Sequence, residues 1–222
     1  MGYCQPDIPK SIPKPRPGYH VRKFHTDEEI RQVLATAADA RLWHPVDSKG
    51  FTAMILVLLD SGLRAGELCR LSVGDLDGEL IKVLGKGDKE RWVRLSEETR
   101  TAVQAYLETR AASSPDSPLF ITRPGGERLS PSTLHKRMKR LGNAAGVKTH
   151  AHRWRHSFAA SAVRNGAGVK ALQHFLGHSS LETTDAYLAG FGYQDAARDH
   201  ARFSPVGALT RHLQAISEPP NG

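Results

Sequence analysis

Apolar residues recur along the chain with a helical period that gives way once, near the middle, to a period of two. The positions Ile30, Val33, Leu34 and Ala37 form one helical stripe to about Ala40, opened by a capping box of Thr26 with Glu29. A loop through Pro45 and Gly50 is expected next. The run Phe51–Leu59 is long enough for a buried helix closed by Gly62, and a short helix over Ala65–Leu71 follows at once. Asp77-Gly78 then signals a turn, after which Glu79–Leu84 and Glu90–Leu95 read as two short strands. The hairpin loop between them is Gly85-Lys86-Gly87-Asp88-Lys89. Ser96 caps a helix to about Ala111 with Val103, Tyr106 and Leu107 inward. A Ser/Pro loop then leads to Leu119-Phe120-Ile121 and a Gly125-Gly126 turn. Ser130-Pro131 starts a helix whose stripe of Leu134, Met138, Leu141 and Ala145 ends at Gly146. His150–His156 opens an alanine-rich helix ending near Asn165-Gly166, and Val169, Leu172, Phe175 and Leu176 mark another. Ser179 with Glu182 is a second capping box, starting a short helix that carries Tyr187 on the same face as Thr183 and Thr184. The pattern predicts a mainly α fold with a small antiparallel β-sheet.

The two ends differ from this. Residues 1–24 are rich in proline and basic side chains, a composition that builds no core and reads as a semi-rigid basic arm or linker. Residues 191–222 read as a tail with a short, thinly apolar helix. The longest apolar run, Ala53–Leu59, is far too short to span a membrane, and no charged start leads into an apolar leader, so a cytoplasmic protein without membrane partners is expected. Two cysteines, Cys4 and Cys69, indicate neither a disulfide framework nor a cysteine metal site. The formal net charge of +8 points to a polyanionic partner, most simply nucleic acid, although a merely soluble basic protein has the same sign.

The basic residues are clustered. The polar face of the helix after Ser130 carries His135, Lys136, Arg137, Lys139 and Arg140 with no acidic partner in view, either a solvated face or one that meets phosphates. His152 and His156 have helical i, i+4 spacing, but Arg153 and Arg155 flank them and no Cys, Asp or Glu completes a site, so an anion suits them better than zinc. Arg155 with a second arginine can fork two phosphate oxygens while a histidine moves a proton. Arg64 is the candidate second arginine, in the tight Ser61-Gly62-Leu63-Arg64 turn; its ordinary alternative is an ion pair with Glu67. Lys86 is either an exposed hairpin lysine or a group that the glycines beside it let into a site. Tyr187 is either core or nucleophile. A phenol with a pKa near ~10 attacks usefully only against a phosphate already neutralised. No ATP-binding glycine loop and no metal-binding carboxylate pair is present in the sequence, so bond energy would have to be kept in a covalent phosphotyrosine.

These signals together resemble the tyrosine recombinases of the phage integrase family. Ser61-Gly62-Leu63-Arg64-Ala65-Gly66-Glu67-Leu68 is similar to the family's first-arginine motif, and Gly85-Lys86-Gly87-Asp88-Lys89-Glu90-Arg91 to its hairpin lysine motif. His152-Arg153-Trp154-Arg155-His156 matches the His-x-x-Arg box. Leu176-Gly177-His178, with Tyr187 nine residues after the histidine, matches the final box. Order and spacing agree across residues 25–190, which the resemblance makes the catalytic domain.

The resemblance implies a site-specific recombinase or integrase that cuts and rejoins DNA through a 3′-phosphotyrosine without metal, ATP or other cofactor. Tyr187 would be the nucleophile, Arg64 and Arg155 the phosphate clamp, Lys86 the acid for the leaving 5′-oxygen. His152 would transfer a proton at the nucleophile and His178 would hydrogen-bond the phosphate. Glu67 would support the site from behind, with Lys136, Arg137, Lys139 and Arg140 as further DNA contacts. The implied partners are double-stranded DNA, a homotetramer on two sites with the tail docked on a neighbour, and an accessory DNA-bending or directionality protein. A nucleoid-associated place of action follows. The alternatives are a type IB topoisomerase-like nicking and resealing activity, or a catalytically silent DNA-binding regulator. Family members usually also carry an N-terminal core-binding domain that closes the clamp on DNA, and only the short arm stands in its place here.

The chain would then be either a catalytic-domain fragment or a naturally minimal enzyme, with half of the clamp missing, and alone it is expected to bind duplex DNA weakly, its affinity falling more than about tenfold between low and physiological salt. A fluorescence-anisotropy titration at several salt concentrations checks this; nanomolar, salt-insensitive binding would contradict it.

Overall fold

The computed structural model describes residues 24–85, 90–110, 114–122 and 126–168, with the isolated positions 172 and 176. The described residues form a three-stranded sheet and six α-helices: α1 (Asp27–Ala38), α2 (Pro45–Ser61), α3 (Ala65–Arg70), α4 (Glu97–Glu108), α5 (Pro131–Ala145) and α6 (Ala151–Arg164). The strands β1 (Leu76–Asp77), β2 (Leu80–Leu84) and β3 (Glu90–Arg94) lie between α3 and α4 in the antiparallel order β1-β2-β3. Leu80 faces Arg94 and Leu84 faces Glu90 across the β2–β3 ladder.

Helix α2 is the centre. Phe51, Ala53, Met54, Ile55, Val57 and Leu58 are all buried, and a helix apolar on nearly every side must be enclosed by others. It packs against α1, α4 and α6. It also begins earlier than the sequence pattern suggests: the stretch through Pro45 and Gly50, expected as a loop, forms its opening turns. Pro45 sits where a helix needs no N–H. Ser48 is buried and donates to the Ala37 carbonyl at 2.9 Å, and Gly50 lies under the ring of Tyr106, which a Cβ there would meet at 3.1 Å. These polar and small residues are interior contacts to α1 and α4.

The caps and stops expected from sequence hold for α1, α4, α5 and α6, whereas the capping box of Ser179 with Glu182 lies outside the described residues. Thr26 and Glu29 exchange side-chain-to-backbone bonds at the start of α1, and α5 ends on the left-handed Gly146. The sheet gains the two-residue strand β1, too short to show a period of two. Leu119, Phe120 and Ile121 are buried, held by bridges from Pro118 to Ser72 and from Ile121 to Arg128.

His25 ties the segment before α1 to α6. Its backbone N–H donates to Ser157 Oγ at 2.8 Å, its ring nitrogens meet Ser157 Oγ at 3.0 Å and Thr149 Oγ1 at 3.1 Å, and its ring stacks on Trp154 at 4.0 Å. Burial, reinforced by the charge of Arg153, pushes its pKa from 6.5 down to about 3. The ring is therefore neutral in the fold but free to protonate once unfolded. Stability should be full above pH 6.5 and fall as pH drops towards 3, at about 1 kcal/mol per pH unit for this group. Urea denaturation at pH 7, 6 and 5 reads that slope, which His25→Gln should flatten.

Candidate active site

The tight turn after α2 is set by Gly62, which adopts the left-handed conformation (φ 61°) and donates back to the Leu58 carbonyl at 3.0 Å. A side chain there would run into the ring of Phe158 on α6. Leu63 is fully buried, and Arg64 opens α3 with its side chain 41% exposed. Glu67 reaches back from the first turn of α3 and accepts from the Arg64 backbone N–H at 2.9 Å and from Arg64 Nη1 at 3.0 Å. The ion pair that sequence offered as the alternative to an aimed arginine is what aims it.

Glu67 is almost wholly buried and has a second arginine. Arg91 of β3 forks it, Nη1 to Oε1 at 3.1 Å and Nη2 to Oε2 at 2.8 Å. Burial opposes ionisation of this carboxyl, but the hydrogen bonds from Arg91 and the Arg64 backbone, with both positive charges, outweigh it and hold the group below the usual carboxylate range. Arg91 belongs to the hairpin motif, yet sequence reasoning assigned it no role. A signal was available: in a strand of period two it shares a face with Val93 and Leu95, and an inward-facing arginine requires a buried acid.

Arg155 stands on α6 with 2% of its surface exposed. Its Nη1 donates to the Gly62 carbonyl and its Nη2 to the Leu176 carbonyl, both at 2.6 Å. One guanidinium thus joins the α2–α3 turn, the His-x-x-Arg segment and the residue just before Gly177-His178. His152, one turn earlier, is exposed, and its ring lies edge-on to the buried His156 with centroids 4.1 Å apart. Arg153 leaves on another side, bound to both Glu29 oxygens (2.9 and 2.6 Å) and the Phe24 carbonyl. Among the described residues, no group of three or more His, Cys, Asp or Glu side chains converges as metal ligands. Lys86, His178 and Tyr187 lie outside the described residues, as do nearly all of the basic arm and the whole tail.

The basic face of α5 divides. Lys136 and Lys139 are exposed. Arg137 corrects the expectation that this face lacks an acidic partner: its Nη2 lies 3.6 Å from Asp47, and its guanidinium donates to the Ile121 and Thr122 carbonyls. Its fork holds the loop before α5 against the start of α2. Arg140 stacks its guanidinium over the Trp43 ring at 4.6 Å while the residue stays exposed.

The family model described as "Phage integrase family" matches residues 23–191. The chain belongs to the phage integrase family. A curated relative, tyrosine recombinase XerA of Thermococcus onnurineus (strain NA1), is 35% identical over 185 residues, 82% of this chain and 60% of that protein. The chain therefore spans less than two thirds of that relative's length. The crystal structure of XerA recombinase superposes with a TM-score of 0.69 at 29% identity, covering 86% of this chain and 67% of that one. The crystal structure of XerH site-specific recombinase bound to palindromic difH substrate, a post-cleavage complex, matches with a TM-score of 0.65 at 25% identity, covering 85% of this chain and 54% of that one. The mainly α architecture with its small antiparallel sheet is that of the tyrosine recombinase catalytic domain.

In this member of the family the two site arginines differ physically. Arg155 is interior and satisfies two backbone carbonyls, so Arg155→Ala should cost about 3 kcal/mol of stability as well as function. The part-exposed Arg64 should cost less than about 1 kcal/mol as Arg64→Ala. Denaturant melts of the two variants check the contrast, and equal losses would contradict it.

Proposed function

We propose that this chain is the catalytic part of a site-specific DNA recombinase acting through a covalent 3′-phosphotyrosine. The observation that carries the reading is the Arg155 guanidinium, hydrogen-bonded at once to the turn that presents Arg64 and to the residue leading into the final box. A guanidinium has five donors in one plane, and bonds to two carbonyls set the orientation in which it meets an anion. Arg64, held by Glu67, is the second half of the clamp.

In this mechanism the two arginines bind the non-bridging oxygens of the scissile phosphate and stabilise the charge that develops in the transition state, a preorganised contact worth ~3–4 kcal/mol. The Tyr187 oxygen attacks phosphorus and forms the P–O bond as the bond to the 5′-oxygen breaks. The tyrosine proton passes to His152, and Lys86 protonates the leaving 5′-oxygen, which departs as the 5′-hydroxyl. His178 hydrogen-bonds the phosphate. Attack of a 5′-hydroxyl from another strand reverses these steps and exchanges strands, with no metal or ATP consumed. Double-stranded DNA is the substrate in this reading, which the XerH recombinase bound to its difH substrate supports by likeness. A homotetramer on two sites, a tail (191–222) docking on a neighbouring protomer, an accessory DNA-bending protein and a cytoplasmic, nucleoid-associated place of action belong to the same reading. The exposed Lys136, Lys139 and Arg140 add backbone contacts to DNA, with Arg137 holding the face they stand on.

The test uses a pool of nicked suicide duplexes with randomised arms, from which covalently retained DNA is recovered after denaturation. The native chain should yield a denaturation-resistant adduct that is absent from Tyr187→Phe. An adduct that persists in that variant, or none from the native chain, would overturn the assignment.

A further inference from the structure

The reaction above uses Arg64 and Lys86, which come from two separate parts of the chain, a helix-start turn and a hairpin. Arg91 lies on the strand that follows the lysine loop, yet its guanidinium is spent on the acid that holds Arg64. We infer that Arg91 is a positioning residue for this chemistry, a fork through which strand β3 and the turn that bears Arg64 are held together.

Three observations carry this. The contact is bidentate and nearly enclosed: both Glu67 oxygens are engaged by Arg91, whose side chain is 16% exposed against 2% for Glu67. Two parallel N–H···O bonds fix the carboxylate plane as a single contact cannot, and a lysine has no such fork. The same two oxygens are those that bind Arg64, Oε1 through its Nη1 and Oε2 through its backbone N–H. Any rotation of the Glu67 carboxylate therefore moves the Arg64 guanidinium and the Arg64 backbone N–H, at the cap of α3, together. Finally, β3 is locked in register to β2: Arg91 stands opposite the buried Val83, and Val93 opposite Ile81, both of them buried on the core side. The fork thus stands on a strand that cannot slip without turning its apolar face outward.

The chemical consequence is orientation. Removing Arg91 leaves Glu67 hydrogen-bonded to Arg64 but without the fork that fixes its carboxylate plane. Arg64 should then sample geometries that no longer match the phosphate. A misplacement of this order costs roughly 10–100-fold in the chemical step with little effect on DNA binding. As a positioning residue, Arg91 acts through Glu67 and Arg64.

The inference rests on the functional reading above, and one experiment separates the two. Single-turnover adduct formation on a duplex recovered from the nicked pool is followed for the full chain and for Arg91→Ala, Arg91→Lys, Arg64→Ala and the double variant Arg91→Ala/Arg64→Ala, at saturating protein. Arg91→Ala should slow the chemical step roughly 10–100-fold at unchanged DNA affinity, and Arg91→Lys should fall between it and the native chain. In the Arg64→Ala background, loss of Arg91 should slow the reaction no further, because the residue through which it acts is gone. A general weakening of the fold would instead multiply the two effects, and that result overturns the inference, as does an Arg91→Ala rate equal to native. Should Arg91→Ala fail to fold, the same cycle with Arg91→Lys reads the same coupling. A native chain that forms no Tyr187-dependent adduct overturns the functional reading first, and the role of Arg91 with it.

Discussion

A buried guanidinium sets the terms for the rest of this molecule. Arg155 lies in the interior, and a charge taken out of water is tolerated only where its donors meet acceptors in good geometry. The acceptors are main-chain carbonyls at Gly62 and Leu176, so the chain must bring a helix end and a distant segment to the same point of α6. Gly62 is the residue that permits this: its left-handed turn follows a helix buried on nearly every side, and its missing side chain leaves room for Phe158. Apolar burial of α2 supplies the rigidity, and the guanidinium converts it into a fixed direction for the turn that follows.

Acidic residues in the interior serve the arginines. With 31 Lys and Arg against 23 Asp and Glu, carboxylates are the scarcer partner. Three that are wholly or partly enclosed each hold an arginine in place: Glu67 holds Arg64 and Arg91, Glu29 holds Arg153, and Asp47 lies against Arg137. This divides the basic residues by physical role. Those whose guanidinium is engaged by acid and carbonyls fix elements to one another, whereas Lys136 and Lys139 remain on the surface with the excess positive charge. The engaged residues are arginines, whose planar fork meets acid and carbonyl at once, and the two on the surface are lysines.

That is also why the sequence is legible to different depths. Helices α1, α4, α5 and α6 are readable because local features agree with the apolar stripe: Thr26 with Glu29, Ser96, Ser130-Pro131 and the terminal Gly146. Arg64, Glu67, His152 and Arg155 are readable as candidates because their order and spacing resemble a known family. The start of α2 misleads because Pro45, Ser48 and Gly50 are loop-forming types by themselves; Pro45 is the exposed first residue of the helix, and contacts of Ser48 to Ala37 and of Gly50 to Tyr106 make those two helical interior. The buried partnerships of Arg91 and Arg137 escape for the same reason: an arginine at a given position declares its charge, but its acid lies 24 residues away in one case and on another helix in the other.

The geometry around Arg64 then has a simple mechanical reading. The three-residue turn Gly62-Leu63-Arg64 is gripped at both ends, at the Gly62 carbonyl by Arg155 from α6 and at the Arg64 N–H by Glu67, itself forked by Arg91 from β3. Between the grips, Leu63 is sealed in the core. A backbone held at both ends and anchored in its middle has few ways to deform, so the exposed part of the Arg64 side chain is presented from a fixed base. The grips come from different layers, a helix and the sheet, and neither uses the other's partner atoms. Loosening one leaves the turn attached but pivoting, which would impair the precision of the proposed phosphate clamp well before it unfolds the domain.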